Sequence, residues 1–135
     1  MLTVVSQEIE TLADEVFKVD PKIQHLGLID LEGHIMLDQS TGSKEPNKPN
    51  TDRIMFYYQV GLRRSRREHF NDAYGETTYI HIVRKKMQQM ILYLPMLTIY
   101  LTIDQSSTPK DVVQISERIS NMDKTIVEKA VTSKY

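Results

Sequence analysis

The chain has 135 residues, 40% apolar and 26% charged, with 17 Lys plus Arg against 18 Asp plus Glu, a formal net charge of -1 and no cysteine. That length suits a single domain burying roughly two thirds of its unfolded surface, and the composition lies far from that of disordered chains. A near-neutral chain has no global field to draw it to nucleic acid or an anionic membrane, and the lack of thiols excludes disulfides, thiolate metal sites and cysteine chemistry.

The amino terminus does not resemble a secretory signal, because residues 1–5 are too few for its apolar stretch and lead into Glu8, Glu10, Asp14 and Glu15. A soluble, cytoplasmic protein in a reducing setting is expected. Over residues 3–18, Val5, Ile9, Leu12, Ala13 and Val16 share one face at spacings of three and four, which predicts an amphipathic helix closed by Asp20-Pro21. Two β-prone runs follow, IQHLGLID and IMLD, around a turn in which Gly33 can take a left-handed conformation.

Residues 39–52 contain two prolines and almost nothing apolar, so they read as an exposed loop, with Thr51 or Asp52 offered as the next helix cap. Residues 53–74 read as one long helix, with Gly75 as its stop. The period then changes to three β-branched and aromatic runs joined by short connections, TTYIHIVR, QQMILYL and MLTIYLTI, which must pair antiparallel. The last of them belongs to the longest apolar stretch, residues 90–103, which Pro95 interrupts and which falls short of the ~20 residues of a membrane helix. Ser107 or Thr108 before Pro109 opens a last helix carrying Val112, Val113, Ile115, Ile119 and Met122, and residues 123–135 read as weak helix or frayed tail. The order α-β-β-α-β-β-β-α predicts an α+β fold with a five-stranded antiparallel sheet covered by helices, in one domain spanning 1–135.

Enzyme chemistry finds no foothold in this pattern. His25, His34, His69 and His81 form no helical metal pair, and a zinc site would need carboxylates such as Asp30 or Asp38 to complete it, so no metal is expected. There is no nucleophile elbow, and glycines 27, 33, 42, 61 and 75 fit no phosphate-binding loop. Neither a catalytic residue nor a cofactor is expected.

The conspicuous feature is Arg63, Arg64, Arg66 and Arg67 in the middle helix. At about 100° per residue the four share one arc with Phe56, Val60, Phe70 and Tyr74, while Met55, Tyr58, Leu62, Ser65, His69 and Ala73 gather on the opposite side as the expected sheet-facing stripe. Aromatic rings interleaved with guanidinium groups are the residue types enriched in protein interfaces. Phe56, Val60, Arg63, Arg64, Arg67, Phe70 and Tyr74 are therefore the candidate interface, for a second copy or another protein. A rival reading has the arginines, with Lys85 and Lys86, on a nucleic-acid backbone and Phe70 or Tyr74 on its bases, which the neutral net charge weakens. A third is a small-molecule sensor with a pocket lined by Tyr79, Tyr93 and Tyr100.

The string LGLIDLEGHIML over residues 26–37, with its D-x-x-G turn, resembles the first hairpin of the roadblock/dynein light-chain fold, a longin- and profilin-like plan. The VDPKI segment, the run RIMFYYQVGLRRSRREHF and the hairpin TYIHIVRKKMQQMILYLP resemble in addition small archaeal proteins built on the same plan. The resemblance implies a roadblock-like sandwich whose middle helix and neighbouring strand form a twofold dimer contact. It also implies a non-enzymatic scaffold or regulator of a signalling complex, with a small GTPase as the kind of partner.

Overall fold

The computed structural model describes residues 5–42 and 50–133. In chain order these form α1 (Gln7–Lys18), β1 (Ile23–Ile29), β2 (Ile35–Ser40), α2 (Thr51–Glu68), α3 (Asn71–Tyr74), β3 (Tyr79–Val83), β4 (Gln88–Tyr93), β5 (Thr98–Ile103), α4 (Pro109–Ser120) and α5 (Lys124–Ser133). The predicted order is present, with α3 and α5 added. The segment 123–135, left between helix and tail, is helical through Ser133. The loop expected over 39–52 is narrower, because β2 runs to Ser40 and α2 begins at Thr51; its residues 43–49 lie outside the described ones.

Local chemistry sets the boundaries. Ser6 caps α1, its hydroxyl accepting from the Ile9 N–H at 3.1 Å, and Thr108 with Asp111 forms a reciprocal capping box at α4, with Pro109 in the first turn. Gly33 closes the β1–β2 hairpin at φ 88°, as its place in the sequence predicts. The cap of α2 is neither Thr51 nor Asp52 but Asn50, whose side chain accepts from the Arg53 N–H at 3.0 Å.

The five strands form one antiparallel sheet in the order β2-β1-β5-β4-β3. Alternation sends side chains to two unlike layers. On one face Leu26, Leu28, Leu37, Met90, Leu92, Ile99, Leu101 and Ile103 meet Leu12 and Val16 of α1, Ile115 and Ile119 of α4, and Ala130 of α5 in a continuous apolar core. On the other, α2 alone covers Ile29, Ile91 and Tyr100 with Tyr57 and Val60, while Ile35, Ile80, Ile82 and Tyr93 are only partly buried around them. At the centre of α2, a Cβ on Gly61 would stand 2.8 Å from the Gly33 Cα, so the helix crosses the hairpin turn at a distance only glycine permits.

Candidate functional site

The middle helix is turned differently from the expectation. Tyr57, Val60, Gly61 and Arg64 face the sheet, and Met55, Tyr58, Ser65, His69 and Ala73 are exposed, so the expected inward stripe is corrected. Val60 and Arg64, expected among the outward interface residues, are 2% and 6% exposed. The helix is also shorter: α2 ends at Glu68, and the chain breaks at His69 and Phe70 before the single turn of α3.

Arg64 can be buried because its guanidinium finds acceptors. Nη1 donates to the Leu97 carbonyl at 2.9 Å and to Thr98 Oγ1 at 3.1 Å, Nη2 donates to the Leu94 carbonyl at 2.6 Å, and the group lies 4.9 Å from the Tyr93 ring centre. Arg64 thus clamps the β4–β5 turn and is not available to a phosphate or to a second protein. Arg63, Arg66 and Arg67 remain exposed, and Arg67 Nη1 donates to the Tyr93 hydroxyl at 2.8 Å.

At the start of α2 lies a polar cluster that sequence reasoning did not anticipate. Asp38 of β2, with a side chain 3% exposed, is gripped by Arg53, whose Nε donates to Oδ2 and whose Nη2 donates to Oδ1 at 2.8 Å. The Tyr57 hydroxyl donates to the same Oδ1 at 2.8 Å, and His25 Nε2 abuts it. On the other side of the ring, His25 Nδ1 lies within hydrogen-bonding distance of the Ser40 hydroxyl, at 3.2 Å.

Burial alone would raise the Asp38 pKa. The hydrogen bonds from Arg53, His25 and Tyr57 outweigh it and hold the carboxyl well below its usual range. Burial, with the Asp38 charge beside it, pushes the Tyr57 phenol well up, so it stays a neutral donor. The sequence signal for this arrangement was Gly27: a Cβ there would stand 2.5 Å from Tyr57 Cε1, so the hydroxyl end of the ring occupies the space where β1 has no side chain.

A cleft of about 390 Å³ opens beside the cluster, lined by His25, Arg53, Phe56, Tyr57, Met87 and Tyr100 among others. Phe56 and Tyr100 meet edge to face at 5.0 Å. The tyrosines expected to line one sensor pocket are dispersed. Tyr100 borders this cleft, Tyr93 lies under Arg64 and Arg67, and Tyr79 packs against the opposite core.

His25 and His34 do not approach one another, since they occupy opposite ends of the hairpin. Among the described residues Asp30, Glu32 and His34 bring ligand atoms within 4.8 Å of one another. Asp30 Oδ1 there accepts the backbone N–H groups of Glu32 and His34 at 3.0 and 2.8 Å, which is the work of a turn.

The remaining candidates form an outward flank. Phe56, Arg63 and Arg67 lie along α2 on the side of the cleft, and Phe70 and Tyr74, 59% and 83% exposed, stack at 6.1 Å beyond the helix break. The edge strand β3 adds the partly buried Ile80 and Ile82 and the exposed Val83.

No family model and no curated protein matches the chain, so the archaeal likeness rests on sequence pattern alone. Solved structures do match. MglB in a tetrameric arrangement is 13% identical at a TM-score of 0.70, covering 96% of each chain. The gliding protein MglB from Thermus thermophilus is 14% identical at a TM-score of 0.69, over 95% of this chain and 96% of that one. The Roadblock/LC7 domain from Streptomyces avermitilis is 7% identical at a TM-score of 0.60, over 88% and 94%. Helix, hairpin, crossing helix, three-stranded meander and closing helices therefore make up a roadblock-like fold across nearly the whole chain.

Proposed function

We propose that this chain is a non-enzymatic regulatory scaffold that pairs with a second copy of itself through the outward flank of α2 and the edge of β3, and presents the pair to a signalling partner of the small-GTPase kind. The observation that carries this reading is the flank itself. Phe56, Phe70, Tyr74 and Val83 expose large apolar surface beside Arg63 and Arg67, on the face of the sheet that a single helix leaves half covered. Such surface is stable in water when a partner covers it, and arginine tolerates the desolvation.

An isologous contact would place the same patch on both sides of a twofold axis, aligning two β3 edges and two α2 helices. The roadblock-like fold supports this use of the middle helix, as does the tetrameric arrangement of the similar MglB. The GTPase partner rests on the resemblance to the roadblock family.

Light scattering is the test. The protein should run as a dimer at micromolar concentration, and Phe56→Asp or Phe70→Asp should make it monomeric with an unchanged circular dichroism spectrum. A wild-type monomer would overturn the self-association. Residual binding of oligonucleotides at low salt, lost on neutralising Arg63, Arg66 and Arg67, would replace it with the nucleic-acid reading.

A further inference from the structure

The sheet has a second free edge, at β2, and it differs from β3 in what surrounds it. The Thr41 N–H donates to the Gln24 carbonyl at 2.9 Å, and the register pairs Leu26 with Gln39 and Gly27 with Asp38. Hydrogen-bonded pairs fall on every second residue of an antiparallel ladder, so Leu37, Gln39 and Thr41 face β1. The main-chain N–H and C=O of Asp38 and Ser40 therefore point away from the sheet. Among the described residues no strand lies beyond them.

Two common guards of an edge are missing from the described strand. The strand IMLDQS contains neither lysine nor proline, and its one charge, Asp38, is turned under α2 and neutralised by Arg53. Above this edge α2 forms an overhang. Ile54, Met55 and Tyr58 stand about half exposed over Gly33, His34 and Ile35, and enclose a depression of about 430 Å³. None of these residues belongs to the outward flank of Phe56, Arg63 and Arg67, which lies on the other side of the helix.

We infer that the β2 edge, roofed by Ile54, Met55 and Tyr58, is a docking site for an extended segment of another protein that adds to the sheet as a sixth strand. The backbone chemistry selects the occupant: a row of outward amides and carbonyls is satisfied by a polypeptide in extended conformation. The overhang selects its side chains. Alternate residues of an added strand point towards α2, so the segment is apolar at every second position where it passes Ile54 and Tyr58, and polar between. This surface goes beyond the self-pairing proposed above and is independent of it, because the two edges lie at opposite ends of the sheet.

The probe is a synthetic peptide of about ten residues with valine and threonine alternating, added to the 135-residue chain and followed by amide NMR. Expected are shifts at Asp38, Ser40, Ile54 and Tyr58, with the Asp38 and Ser40 amides exchanging fast in the free protein and slowed by the peptide. N-methylation of the alternate peptide amides that face β2 should abolish the effect, while methylation of the other set should not. Ile54→Asp and Tyr58→Asp should each weaken binding by about tenfold or more and leave the light-scattering mass unchanged, which separates this surface from the flank of Phe56. Shifts confined to that flank, equal tolerance of both methylation patterns, or no binding at millimolar peptide would overturn the proposal. So would a higher assembly of the protein itself that Ile54→Asp disperses, since the occupant would then be a second copy.

Discussion

The two faces of the sheet bury themselves by different means. Towards α1, α4 and α5 the side chains are apolar and interlocked, three helices cover the strands, and Leu12, Leu26, Ile99 and Leu101 have no exposure. Towards α2 one helix does the covering; it brings two guanidinium groups and a phenol, and the strands beneath supply a carboxylate, an imidazole and a second phenol. Apolar packing is nondirectional and forgiving of rotation, whereas each polar group needs a partner at one distance and angle. The first face supplies stability; the second fixes where α2 sits and which of its sides reaches solvent.

That contrast can be tested by mutation, and the largest effect belongs to the dry face. Leu101→Ala should cost about 3–4 kcal/mol, the transfer of the lost methyl groups plus the cavity they leave, measured by urea unfolding. A loss below about 1 kcal/mol would mean that this core is not close-packed.

Asp38→Ala should cost about 2–3 kcal/mol, less than a wholly buried pair because Arg53 reaches solvent. Asp38 also predicts a pH dependence. Its folded pKa lies below the unfolded value of about 3.9, so its contribution is complete above that value and fades as the pH falls towards the folded one. Asp38→Asn should flatten this acid limb in thermal melts taken at successive pH values, and an unchanged limb would show that other carboxylates set it.

Gly27→Ala probes the same cluster without touching a charge. Its Cβ must push the Tyr57 ring aside, for a cost of about 1–2 kcal/mol, and the Tyr57 ultraviolet signature should change with it. Smallest is Thr108→Ala, which removes one half of the α4 capping box for about 1 kcal/mol and should leave the light-scattering mass of the protein as it was.

The same contrast explains what the sequence disclosed. The strands, their antiparallel joints, the Gly33 turn and the terminal helices were legible because their apolar periods are regular and their caps local. The face of α2 was not. Its apolar residues occupy more than one arc, and the rule that arginine faces water put Arg64 and its neighbour Val60 outside. The acceptors that admit Arg64 are the Leu94 and Leu97 carbonyls and the Thr98 hydroxyl, far away in the chain, and no local window contains them. The Asp38 cluster was hidden for the same reason, joining β1, β2 and α2 through pairings that only the assembled sheet creates. Phe56, Arg63, Arg67, Phe70 and Tyr74 were legible as exposed residues because the contacts they make, such as Phe56 with Tyr100 and Arg67 with the Tyr93 hydroxyl, leave them open to solvent.

Along its length α2 is fixed at three points: Arg53 and Tyr57 on Asp38, Gly61 against Gly33, and Arg64 in the β4–β5 turn. A helix held at both ends and the middle has little freedom to bend or roll, so it behaves as a ruler. Phe56 and Arg67 are eleven residues apart in the sequence, which at about 1.5 Å per residue sets them about 16 Å apart along the axis. A partner reading those two marks meets a spacing that does not adapt. The entropy of ordering the helix is spent during folding and not at the encounter, which favours a partner of matching pitch over one that must be moulded to fit.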